Sequence, residues 1–120
     1  MLPHLLRPAA LLFAALLLVA PAAAADATRG LPLPPGSRAA DADTFSSSRG
    51  FRDTVTFYSR HLHRRDIPHR AIPVYRHRGV DIARFLATGP DSPWAAIHVY
   101  RHRGATFIAI VASPPLDADE

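Results

Sequence analysis

The chain contains no cysteine. Disulfides, thiolate nucleophiles and cysteine-bound metals are therefore excluded, as is the acylated cysteine of a lipoprotein. Lysine is absent too, and all 14 basic residues are arginine. Together with abundant Ala and Pro, this fits a GC-rich bacterial coding sequence, a statement about codons rather than chemistry. The uncharged run at residues 9–20 is twelve residues long and ends at Pro21, short of the ~20 needed to cross a bilayer as a helix. Neither a phosphate-binding loop nor a dinucleotide fingerprint occurs. Beyond the N-terminal 25 residues the chain is 95 residues long. A chain of that length buries one core and only ~60–65 % of its surface, which excludes a second domain or a deep, multilayered active site.

What is present begins with an address. Residues 1–25 carry a single charge, Arg7, ahead of the apolar run, and Ala23, Ala24 and Ala25 follow Pro21. A charged start, an apolar middle and a small-residue end form the three parts of a secretory signal peptide. Cleavage is expected after Ala25, because the peptidase cleft admits only small side chains at the positions it reads. The competing reading, an uncleaved anchor, suffers from the shortness of the run. The mature chain then carries 13 arginines against 10 acids, a formal charge of +3 before any histidine contribution. It is expected in the periplasm or secreted, meeting the membrane only through the signal peptide before cleavage.

Residues 26–42 contain Gly30, Pro32, Pro34, Pro35 and Gly36 and read as an extended linker, since successive prolines block helix and deny ladder donors. Asp43, Thr44 and Phe45 form a candidate short strand. Ser46, Ser47 and Ser48 offer N-cap side chains. Phe51, Val55, Tyr58 and Leu62 then recur at helical spacing on one face, and Pro68 sets a stop near Arg65. After Pro68 the period becomes two, and residues 71–75, 80–87, 95–100 and 105–112 read as strands rich in Ile, Val, Phe and Tyr. The loop at residues 88–93 separates the second from the third. The fold class is α+β: one amphipathic helix packed on a four-stranded antiparallel sheet made of two similar β-hairpins. The domain spans residues 43–113, with an acidic disordered tail at 114–120.

A repeat lies inside the sheet region. Ala-Ile-Pro-Val-Tyr-Arg-His-Arg-Gly at 71–79 recurs as Ala-Ile-His-Val-Tyr-Arg-His-Arg-Gly at 96–104, with eight of nine positions identical. Each copy runs from a strand into a glycine turn. A two-residue Arg-Gly turn places Arg76 opposite Asp81, a favourable pair, but drives Arg78 to positive φ. A three-residue His-Arg-Gly turn leaves only Gly79 there and is preferred on that ground. In either register Ile72, Val74, Ile97 and Val99 are expected on the helix-covered face. Tyr75, His77, His98, Tyr100 and His102 are expected on the other.

No metal or other cofactor is expected. His61 and His63 point apart on a helix, and His98 and His102 lie ~13 Å apart along a strand, too far for a shared ion. Asp53 suits the first helical turn, Asp66 and Asp91 suit turns, and Asp81 has an arginine nearby, so no acid demands a catalytic role. The basic turns are the stronger signal. In a meander the first and third turns share one end of the sheet, which brings Arg76, His77 and Arg78 beside Arg101, His102 and Arg103, ~10 Å apart. Tyr75 and Tyr100 add flat contact surface. Guanidinium forks suit phosphate and carboxylate oxygens. The expected partner is therefore an anionic lipid, a glycan or an acidic protein, with binding that weakens in salt and strengthens below about pH 6, where imidazoles take up protons. Nucleic acid is not expected in an exported protein despite its basicity. The bland alternative is that the turns are charged for solubility. The competing function is a small enzyme using Tyr, His and Arg groups on the open sheet face.

Leu33-Pro34-Pro35-Gly36-Ser37, Asp43-Thr44-Phe45 and the helix residues Phe51, Val55, Phe57, Tyr58 and Leu62 resemble small exported bacterial domains of uncharacterised function. Those domains carry a Pro-Gly segment, a strand and a helix ending in Phe-Tyr-x-x-x-Leu. The resemblance covers about a third of the chain, concerns packing and implies no active-site residue.

Overall fold

The computed structural model describes residues 27–114. The expected signal peptide and residues 115–120 of the expected tail lie outside them. The elements are β1 (Arg38–Ala39), β2 (Thr44–Ser46), α1 (Phe51–Arg64), β3 (His69–His77), β4 (Val80–Ala87), β5 (Trp94–His102) and β6 (Ala105–Ala112). All pairings are antiparallel, in the order β1-β2-β6-β5-β4-β3. The fold is α+β with one helix packed on a six-stranded sheet rather than the four strands expected. The four long strands are the meander read from the sequence. The chain ahead of the helix adds the other two, β2 along β6 and β1 along β2.

β1 falls within the segment expected as a linker. That segment is part of the fold: Leu31 and Pro34 are buried, and the Pro32 carbonyl accepts a hydrogen bond from the Tyr58 hydroxyl at 3.0 Å. Prolines keep residues 31–34 out of helix and sheet without preventing their packing.

Helix α1 buries Phe51, Thr54, Tyr58 and Leu62, while Val55 is only partly buried at the margin of the core. Its N-cap is Gly50, without a side-chain cap, and not a serine as expected. Ser47 acts one step removed. Its Oγ accepts the Arg49 N–H at 3.1 Å and shares a hydrogen bond with Thr54 Oγ1 at 2.7 Å. Thr54 Oγ1 also donates to the Gly50 carbonyl at 2.8 Å. A buried hydroxyl is thereby satisfied, and β2 is tied to the first helical turn.

The register stacks the core in ranks across the sheet. Phe45, Ile108, Val99 and Ala83 form one rank, and Ile110, Ile97 and Phe85 the next; all seven are buried under the helix. Ile72 and Val74 do not join them, contrary to expectation. Ile72 pairs with Arg84 and Tyr75 with Ile82, with the register shifting between them. This is a bulge at Pro73 and Val74. Proline has no N–H for the ladder and is tolerated on an edge strand or at a bulge. The extra residue turns Ile72 to the open face and leaves Val74 55 % exposed.

Both hairpins close through two residues. His77 pairs with Val80 and His102 with Ala105. Arg78 and Gly79 have φ of 51° and 80°, and Arg103 and Gly104 have 52° and 81°. This is the primed-turn pattern that matches strand twist, and it corrects the three-residue turn preferred from the sequence. A left-handed arginine costs roughly 1–2 kcal/mol. The matched twist and the pairing of Arg76 with Asp81 outweigh it.

Candidate anion-binding site

The repeat brings its two turns to one end of the sheet, because β3–β4 and β5–β6 are consecutive hairpins of one meander. Asp81 lies on β4 between the two copies, opposite Arg76 on one side and Arg101 on the other. Both arginines bind it. Arg76 donates from Nε at 2.8 Å and from Nη2 at 3.3 Å, one to each carboxylate oxygen. Arg101 donates from Nε at 3.1 Å and also from Nη2, both to Oδ2. Each guanidinium spends the edge bearing Nε and keeps its Nη1 edge free. The Asp81 side chain is 13 % exposed, whereas those of Arg76 and Arg101 are 67 % and 46 % exposed. The two cations therefore stand at the surface on a nearly buried acid. Hydrogen bonds from Arg76 and then Arg101 hold the Asp81 carboxyl at a pKa of about 2, against the opposing effect of burial.

The cluster faces the start of the helix. The Arg101 guanidinium lies 5.6 Å from the centre of the Phe51 ring. A recess of about 300 Å³ is lined by Phe51, Arg52, Val74, Arg76, Asp81 and Arg101. Three arginines and one acid line it, so its balance is cationic.

The residues expected to act together are divided by the pleat. Arg76 and Arg101 are on the helix side with Asp81. Arg78 and Arg103 occupy the turn apices, and among the described residues neither makes an ion pair. Tyr75, His77, Tyr100 and His102 lie on the open face. There the Tyr75 ring sits 5.6 Å from the Arg84 guanidinium, and Tyr100 stacks on Phe107 at 5.3 Å. His98 shares that face, and burial, then the charge of Arg84, lower its pKa below the ordinary histidine value. The larger recesses are built by other residues, so Tyr75, His98 and Tyr100 line none of them. Among the described residues no group of three His, Asp or Glu side chains is placed to hold a metal ion, and no helix is long and apolar enough to cross a membrane.

The double engagement of Asp81, and the part of Phe51 and Arg52 in the recess, were not anticipated. Arg101 is 20 residues from Asp81, and its approach depends on the β4–β5 register. Comparison with family models, with curated proteins and with solved structures finds no match to this chain.

Proposed function

We propose that this protein is an exported, non-catalytic module of the bacterial cell envelope that binds an anionic partner through the hairpin-tip end of its sheet. The observation that carries this reading is the convergence of Arg76 and Arg101, one from each copy of the repeat, on the single carboxylate of Asp81. A guanidinium held by one edge is preorganised to offer the other to phosphate or carboxylate oxygens. Arg78 and Arg103 extend the same charge to the apices. The described residues hold 13 arginines and six aspartates, so this end lies in a generally cationic field that would steer an anionic surface toward it.

Because Arg76 and Arg101 also neutralise Asp81, replacing them mixes function with folding. The informative variant is Arg78→Ser with Arg103→Ser, which leaves the clamp intact. Phosphatidylglycerol-containing vesicles, a sulfated glycan and poly-glutamate serve as separate probes. The parent is expected to bind at least one, more weakly as salt is raised, and the double variant to bind it about tenfold more weakly. Equal binding by parent and variant would make the turns solubilising only.

A further inference from the structure

A second site lies at the opposite end of the sheet, away from the hairpin tips. The β4–β5 loop, the end of α1 and the N-terminal segment line an open cavity of about 360 Å³, within the range of small-ligand pockets. Leu31, Ile67, Pro93 and Trp94 give it apolar walls, and Arg29 and His61 are the ionisable side chains that line it. No acid borders it. Burial and, secondarily, Arg65 and Arg64 lower the pKa of His61, so the fixed charge comes from Arg29. Among the described residues Arg29 makes no ion pair.

We infer that this cavity binds a small apolar molecule carrying one carboxylate, its hydrocarbon body against Leu31, Ile67 and Trp94 and its acid at Arg29. The chemistry follows from the lining. Apolar walls favour a hydrocarbon body, and a single lining guanidinium, with no acidic neighbour among the described residues, matches a single carboxylate. Ser92 is not available as a competing recognition group, because its hydroxyl already donates to the Trp94 carbonyl at 2.6 Å. This site is independent of the hairpin tips and of the function proposed for them.

Trp94 is the chain's only tryptophan, so its fluorescence reports directly on the cavity. Octanoate, 1-octanol and acetate separate the two halves of the proposal. Octanoate should shift the Trp94 emission saturably, with a Kd at or below about 1 mM, as expected for ten non-hydrogen atoms. Octanol, lacking the charge, should bind about tenfold more weakly. Acetate, lacking the body, should leave the emission unchanged. Arg29→Gln, an exposed change, should weaken octanoate about tenfold and leave octanol unaffected. The Arg78→Ser and Arg103→Ser variant should bind octanoate as the parent does. Absence of a saturable octanoate response up to about 10 mM, equal affinity for octanol, or indifference to Arg29→Gln would each overturn the site. Loss of octanoate binding in the tip variant would assign the acid to the other end and overturn it equally.

Discussion

Ile72 and Ile97 hold equivalent positions in the two copies of the repeat and lie on opposite faces of the sheet. Ile97 is fully buried under the helix, whereas Ile72 pairs with Arg84 on the open face. The copies differ at one position, Pro73 against His98. On the turn side of that position they are in step, with Tyr75 and Tyr100 on one face and Arg76 and Arg101 on the other. The bulge adds one residue, and everything upstream of it reverses.

The position of each copy predicts opposite responses to exchanging that residue. β5 is paired on both sides, so His98→Pro removes a ladder bond in the sheet interior and should cost about 3 kcal/mol or more. Pro73→His on the edge strand should change stability by less than about 0.5 kcal/mol. Urea denaturation midpoints measure both, and equal shifts would contradict the topology.

Val99 and Val74 are also equivalent in the repeat, and they differ in burial: Val99 is fully buried, whereas Val74, in the bulge, is exposed. Val99→Asp places a carboxylate at a fully buried site and should cost several kcal/mol against a total of about 5–15 kcal/mol, leaving the domain largely unfolded. Val74→Asp should melt like the parent. Circular dichroism melts decide this, and an unaltered Val99→Asp transition would refute the facing.

Asp81 should make the protein sensitive to acid. Its folded-state pKa of about 2 lies below the ordinary ~3.9, so its contribution is fully present above about pH 4 and is lost as pH falls through 2. Asp81→Asn should lower the melting temperature at pH 7, and its gap to the parent should narrow between pH 4 and pH 2. A gap of constant size across that window would show that the clamp is not what the carboxylate supplies.

The turn apices set stability against binding. Asn tolerates left-handed backbone better than Arg, so Arg78→Asn with Arg103→Asn should stabilise the fold by about 1 kcal/mol. It should also reduce binding to anionic vesicles or glycans. Higher stability with undiminished binding would remove the turns from the interface.

Export has its own test. Mass spectrometry of the extracytoplasmic fraction should find a mature N-terminus at Asp26, and an intact Met1 on a cytoplasmic species would count against the proposed address.

Much of the scaffold was legible from period and punctuation. The bounds of β4 and β6 coincide with the alternating runs at 80–87 and 105–112, and the break at Pro68 ends the helix where expected. The errors have physical causes. Alternation through Pro73 puts Ile72 and Val74 on the covered face only in a regular strand, and the bulge breaks that condition. Local strain at Arg78 favours a three-residue turn over one cross-strand pair, but the turn must also match the twist of two strands. Leu31 and Pro34 carry no periodicity, so their burial was invisible. The Asp81 clamp and the Trp94 cavity draw on segments distant in the chain, and only the tertiary register unites them.

Pro73 also bears on what the protein does at high concentration. A chain that holds the same strand and turn twice is exposed to strand exchange between molecules, since each copy is a ready template for the other. The inner copy has neighbours on both sides. The outer copy forms the sheet border, where proline and the bulge spoil the row of donors that a further strand would need. The opposite border ends in the two residues of β1. The arginine-bearing turn is thus repeated while both margins of the described sheet disfavour strand addition from one molecule to the next.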